Sequence, residues 1–173
     1  AFPLREAATA AFVSPLWIGI GLLLTSAVVG VTARLPGGDR VELATGWRRA
    51  AAVGLAQGLA VFPGLSRSGV TIAAGLGLGL ERRWAARFSF LLSVPAIVGV
   101  ALVELVTERV AVVSAGAPFL ASCLVGGVCA ALSGYLALRV VLSTITSRVF
   151  HRFAWYCLPL GLVVLVVVAW RGL

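Results

Sequence analysis

Ala60-Val61-Phe62-Pro63-Gly64-Leu65-Ser66-Arg67-Ser68-Gly69-Val70-Thr71 sets a helix-breaking Pro-Gly just ahead of an arginine, and between Arg49 and Glu81 that arginine is the only charged residue. A guanidinium stays protonated, and at membrane depth it costs about 2.5–3.5 kcal/mol on insertion scales. It needs an anion. No Asp or Glu lies between Glu42 and Glu81, so the partner is either a ligand or a carboxylate from elsewhere in the fold.

The surroundings of this stretch are those of a membrane protein. The 173 residues are 61% hydrophobic and 12% charged, with a mean hydropathy of +1.08, against roughly 25% charged in soluble domains. Apolar runs of about 18–24 residues suit helical spans rather than barrel strands. Spans are expected at about 16–33, 88–106, 118–141 and 153–170, in one transmembrane domain covering 1–173. Ser14-Pro15 reads as the cap and first turn of the first span.

Segment 47–80 does not fit a single crossing. As one helix most of it would measure about 46 Å, against a hydrocarbon core of roughly 30 Å. Broken at Pro63-Gly64, it becomes two half-helices of about 16 residues that dip in and return as a re-entrant hairpin. The arginines agree. With a returning hairpin, Arg34, Arg40, Arg48, Arg49, Arg82, Arg83, Arg87, Arg148 and Arg152 share one face, leaving Arg109, Arg171 and Arg5 for the other. That is the positive-inside pattern with the rich face cytoplasmic. The expected fold is therefore an all-α integral membrane protein, a polytopic helix bundle with a re-entrant helix pair.

All 14 basic residues are Arg and the net charge is +8. Because most of the arginines flank apolar spans, they read as topology signals and headgroup anchors, and nucleic acid is not expected as a partner. Cys123, Cys129 and Cys157 lack C-x-x-C spacing and read as small buried hydrophobes. His151, the single histidine, reads as a solvated loop residue. Ser122, Gly126, Ala130 and Gly134 form a small-residue stripe, echoed by Gly54/Gly58 and Gly75/Gly79. Packing within the chain is the expected use, a homodimer seam the alternative. Ser89 and Ser93 are expected to bond carbonyls freed by Pro95.

The chemistry gathers around Arg67. Pro63-Gly64 ends one half-helix and Ser66 caps the next, so a buried helix N-terminus offers free N–H groups and a positive dipole end. Arg67 adds a planar donor fork that matches phosphate oxygens. Ser68 and Thr71 supply hydroxyls, while Gly64 and Gly69 permit close backbone approach. A phosphate or diphosphate pocket follows. The plainer alternative is that Arg67 snorkels or pairs with a carboxylate such as Glu104, and Ser66 merely caps.

Residues Pro63 to Thr71 match P-G-x-S-R-S-G-x-T and resemble the signature of the undecaprenyl-diphosphate phosphatases of the bacitracin-resistance type. Gly54-Leu55-Ala56-Gln57-Gly58 and Phe88-Ser89-Phe90-Leu91-Leu92-Ser93-Val94-Pro95-Ala96 are similar to that family too. The resemblance implies two inverted repeats, each with a re-entrant pair, in a multi-pass protein of the bacterial plasma membrane. It implies hydrolysis of the terminal phosphate of a C55 polyprenyl diphosphate, which recycles the lipid carrier of cell-wall synthesis. Arg67, Ser66 and Ser68 would be the catalytic residues, with Gly64, Gly69, Thr71 and Gln57 binding substrate. A divalent metal, Mg or Ca, would be the cofactor.

The family's first repeat also brings an E-x-x-x-E motif, a second Ser-rich turn and a His, and none occurs here. By internal symmetry Gln57 stands at the place of the first glutamate. The sequence is thus expected to be the C-terminal two-thirds of such an enzyme, lacking an N-terminal repeat, and inactive alone. The absent carboxylates leave the metal ligands unassigned. Competing readings are a polyprenyl-phosphate transporter or flippase, for which broken helices and half-helix N-termini are equally apt, and a non-catalytic membrane subunit.

Overall fold

The computed structural model describes residues 14–42, 45–107 and 116–171. Six α-helices are present among them: α1 Pro15–Val31, α2 Gly46–Leu59, α3 Arg67–Gly77, α4 Arg82–Thr107, α5 Gly116–Thr146 and α6 Ala154–Arg171, the last preceded by a 3-10 turn at Phe150–Phe153. Among the described residues, three helical stretches are long and apolar enough to cross a membrane: Arg82–Thr107, Ala121–Thr146 and Phe150–Arg171. Helix α1 has 17 residues, or about 26 Å. Arg5 and Arg109 lie outside the described residues.

The core sits at the arginine-rich end. Val29 of α1, Ile72 and Leu76 of α3, Leu80, Trp84, Ala85 and Ala86 around the start of α4, Ile145 of α5 and Phe150 form one buried cluster. Beyond it the helices splay. Leu91, Val94, Val98 and Leu102 of α4 and Leu124, Val128 and Leu132 of α5 are all exposed. In water such surface would aggregate; in a bilayer the acyl chains are its solvent.

Polar clips close the same end. The Arg82 guanidinium donates to the carbonyl oxygens of Thr32 and Pro36, each at 3.4 Å, and to that of Leu35. A cation is favourable at the C-terminus of α1. Trp84 Nε1–H donates to Thr45 Oγ1 at 2.7 Å, and the Arg40 guanidinium donates to Leu78 O at 3.3 Å. Thr45 precedes α2 and Leu78 follows α3. Both ends of the α2–α3 hairpin are therefore tied to the end where Arg82 lies. Helices α1 and α6 run antiparallel, with Ser26 Oγ donating to Ala154 O at 3.0 Å and Gly161 packed on Leu23 and Gly19.

Several expectations need correction. Ser14 stands before α1 with extended backbone but makes no side-chain cap bond, so Pro15 alone marks that start. The break in 47–80 is wider than expected: α2 has 14 residues and α3 has 11, because Ala60–Leu65 turns outside both helices. Helix α4 begins at Arg82, not Phe88, since Glu81 Oε2 accepts from Trp84 N at 2.8 Å and starts the helix early. Cys123 and Cys129 are exposed, as are Ser122, Gly126, Ala130 and Gly134. A Cβ at Gly126 or Gly134 would meet nothing within 4 Å, and the same holds at Gly54 and Gly58. The α5 stripe is thus not used for packing among the described residues, because α5 meets its neighbours only near its C-terminal end. The Gly75/Gly79 pair differs: Gly75 of α3 packs against Ala85 and Leu80. His151 is half-buried within the 3-10 turn, its Nδ1 3.1 Å from Arg148 O.

Candidate functional site

The Pro-Gly turn owes its shape to α1. Gly64 has φ +80°, a left-handed conformation that side chains disfavour. A Cβ there would strike Ile18 O, and one on Gly21 would strike Pro63 O. The two backbones therefore approach as closely as two glycines allow. Thr25, 4% exposed, completes the contact: its hydroxyl donates to Gly64 O at 2.9 Å and accepts from Ser66 N at 2.8 Å.

Ser66 is the N-cap of α3, extended at φ −69° and ψ 110°, its Oγ accepting from Gly69 N at 3.1 Å. This is the standard serine cap, which satisfies one of the orphan donors. The N–H groups of Arg67 and Ser68 have no partner among the described residues. Ser66 Oγ and Ser68 Oγ lie 3.4 Å apart. Two backbone donors and two hydroxyls therefore converge on the start of α3, with the positive end of the helix dipole behind them.

The Arg67 guanidinium has no hydrogen bond or ion pair among the described residues. It borders a groove of about 360 Å³ whose other walls are Ala96, Ile97, Val100, Ala101 and Glu104 of α4. Glu104 thus shares the groove with Arg67, yet no ion pair within 4 Å joins them. Ala96 lies about 21 Å along α4 from Arg82 and Glu104 about 33 Å. The groove is therefore in the half of α4 remote from the arginine-rich end.

Thr71 and Ser89 are placed differently from expectation. Thr71 Oγ1 donates within α3 to Arg67 O at 2.9 Å, with Ser68 O at 3.3 Å, and lies 2.6 Å from Ser89 Oγ. Both are buried, at 1% and 4% exposure. Thr71 is thus a strut from α3 to α4, not a group facing the groove. Ser89 does not bond a carbonyl freed by Pro95; its hydroxyl serves Thr71. Nor does Ser93: it donates to Phe90 O at 2.6 Å, an ordinary bond one turn back, whereas the carbonyl that Pro95 leaves without its helical donor is that of Leu91.

Gln57 lies on α2, and its Oε1 is buried with no partner. An orphaned acceptor is costly and marks a place for a donor. Gly69 is packed beneath the turn against Val29 and Ser66. Thr25 and Gly21, which shape the turn before Arg67, are the residues that sequence reasoning missed. The only signal was a polar Thr25-Ser26 pair inside an apolar helix.

The described residues include no group of three or more His, Cys, Asp or Glu able to hold a metal ion. The Arg67 groove is lined by one carboxylate, Glu104, and the Ser66 and Ser68 hydroxyls stand at the start of α3. That set alone does not complete the roughly six to eight oxygen ligands of Ca2+, while Mg2+, which takes one or two carboxylates with substrate phosphate and water, asks less of the protein.

The family described as Bacitracin resistance protein BacA matches residues 1–163. An undecaprenyl-diphosphatase of Methanosphaera stadtmanae is 39% identical over 164 residues, covering 95% of this chain and 58% of that protein. One from Methanothermobacter thermautotrophicus is 47% identical over 121 residues, covering 69% and 64% respectively. One from Desulfatibacillum aliphaticivorans is 41% identical over 155 residues, covering 90% and 55%. The chain thus spans a little over half the length of the curated relatives it matches.

Proposed function

This chain belongs to the BacA family, and we propose that it forms the diphosphate-gripping part of an enzyme that dephosphorylates undecaprenyl diphosphate in the bacterial plasma membrane. The observation that carries the reading is that the Arg67 guanidinium and the N–H groups of Arg67 and Ser68, all in the first turn of α3, have no partner among the described residues. Family membership and the names of the relatives support it.

The roles follow from the geometry. Arg67 offers a bidentate fork to the phosphate oxygens, a fit that a point charge lacks. The N–H groups of Arg67 and Ser68 receive a further oxygen where charge develops as the anhydride breaks. Ser66 Oγ accepts from Gly69 N and lies 3.4 Å from Ser68 Oγ; with one proton of that pair between the two oxygens, the other is left to donate to the ligand. Gly64 and Gly69 shape the turn, and Thr71 holds the first turn of α3 in place. Gln57 Oε1, if it meets the ligand, accepts from a protonated phosphate oxygen or its water.

The apolar walls of the Arg67 groove suit a prenyl chain. Glu104 is the one carboxylate of that groove, and the described residues alone do not complete the shell of a divalent ion. We further propose that the 173-residue chain alone is inactive.

The test is phosphate release from a polyprenyl diphosphate in detergent micelles. It compares this chain alone with the full natural polypeptide, each beside Arg67→Ala. Release by the full polypeptide, abolished by Arg67→Ala, is expected. Release by the chain alone would refute the proposed inactivity. A folded full polypeptide that releases none would refute the phosphatase reading.

A further inference from the structure

We infer that Thr25 is the positioning residue of the anion site, holding the peptide that carries Ser66 at the angle the N-terminus of α3 requires. The inference rests on the reading of that site given above and assigns to it a residue outside the signature. Thr25 has one proton and uses it on Gly64 O; it receives one N–H, that of Ser66. A single hydroxyl thereby spans both sides of Leu65. In a helix a threonine hydroxyl ordinarily bonds the carbonyl one turn back, as Thr71, Thr107 and Thr144 do here. Thr25 instead turns away from its own helix.

Its neighbours show why the contact is rigid. Ile18, Gly21, Leu22 and Thr25 stand at i, i+3, i+4 and i+7, the spacing of one helix face. Ile18 O and Leu22 N border Gly64, and Gly21 borders Pro63 O. Helix α1 is in turn fixed by α6 through the Ser26–Ala154 bond. The turn before Arg67 is thus clamped onto a braced helix, and Thr25 is the only side-chain hydrogen bond in that clamp among the described residues. Without it the Ser66 peptide plane is free to rotate. Arg67 N and Ser68 N, the next two donors, would then lose their common aim.

The experiment uses the full natural polypeptide in detergent, with inorganic pyrophosphate as the binding probe and polyprenyl diphosphate as the substrate. Thr25→Val keeps the shape and removes the hydroxyl; Thr25→Ser keeps the hydroxyl and removes a methyl. Thr25→Val is expected to weaken pyrophosphate binding about tenfold, the loss of roughly one net hydrogen bond. Thr25→Ser is expected to stay within about threefold of the parent.

Rescue by serine is the readout that a merely structural role would not give. Wild-type affinity in Thr25→Val, or equal losses in both variants, overturns the inference. If Thr25→Val does not fold, Thr25→Ala takes its place with the same expectation. Failure of both to fold also overturns it, because Thr25 would then act on stability alone. A parent that binds no pyrophosphate overturns it as well. Phosphate release by the parent decides the phosphatase reading separately: a parent that binds pyrophosphate but hydrolyses nothing refutes that reading and leaves Thr25 to the binding comparison.

Discussion

Replacing Arg67 by lysine separates charge from geometry. The Arg67 side chain makes no internal hydrogen bond or ion pair among the described residues, so its replacement removes nothing that holds the fold. The expected change in stability is within about 0.5 kcal/mol, as for surface substitutions away from special features. Lysine retains the positive charge but loses the planar fork. A preorganised donor aimed at developing charge is worth about 2.7–4 kcal/mol, or 10²–10³ in turnover. Arg67→Lys should therefore lose at least about 10²-fold in phosphate release from polyprenyl diphosphate, with its melting temperature in micelles unchanged. Arg67→Ala should lose more. Turnover of Arg67→Lys within threefold of the parent would show that charge alone suffices. A melting temperature that falls in step with activity would mean that Arg67 packs rather than binds, the behaviour of a non-catalytic subunit.

Three further outcomes follow from the contacts around the turn. Thr71→Val leaves the buried Ser89 hydroxyl without its partner and should cost about 1–3 kcal/mol, whereas Ser89→Ala removes one bond and should cost about 0.5–1.5 kcal/mol; denaturant midpoints in detergent that reverse this order would refute the strut. Gly64→Ala forces a side chain into a left-handed conformation costing about 1–2 kcal/mol and against Ile18 O. Both the melting temperature and pyrophosphate affinity should fall, and an unchanged affinity would detach the turn from the site. Ala101→Trp fills the Arg67 groove and should raise KM for the long-chain substrate while leaving pyrophosphate binding intact; equal losses on both would mean that the groove does not take the prenyl chain.

Much of the fold was legible because membrane helices are written in composition. Apolar length reveals a span whatever its packing, and Pro63-Gly64 shows a break in any context. What the sequence could not show was which face of each helix meets another. The α5 stripe looks like a packing face by spacing alone, yet nothing among the described residues covers Gly126 or Gly134. Cys123 and Cys129 share that exposure for the same reason. Burial depends on which helix stands opposite, and that is a property of the whole bundle.

The candidate site divides along the same line. Ser66 as a cap is local, fixed by the residues around it, and could be read directly. Thr71, Ser89 and Thr25 act across helices, 18 and 41 residues apart in their pairs. Nothing in the spacing links Thr25 to Ser66. Each long-range hydroxyl bond sits behind the anion site rather than in it, which explains why a reading that looks for ligand-facing groups passes over them. The clips of the arginine-rich end and the groove beside Arg67 occupy opposite halves of α4. One half of the molecule is closed by buried contacts, while the other presents Arg67 to an apolar face open to lipid. The proposed substrate, a charged head on a long hydrocarbon tail, fits this division: the head meets a rigid, braced helix N-terminus, and the tail a wall it can reach from the bilayer without the bundle coming apart.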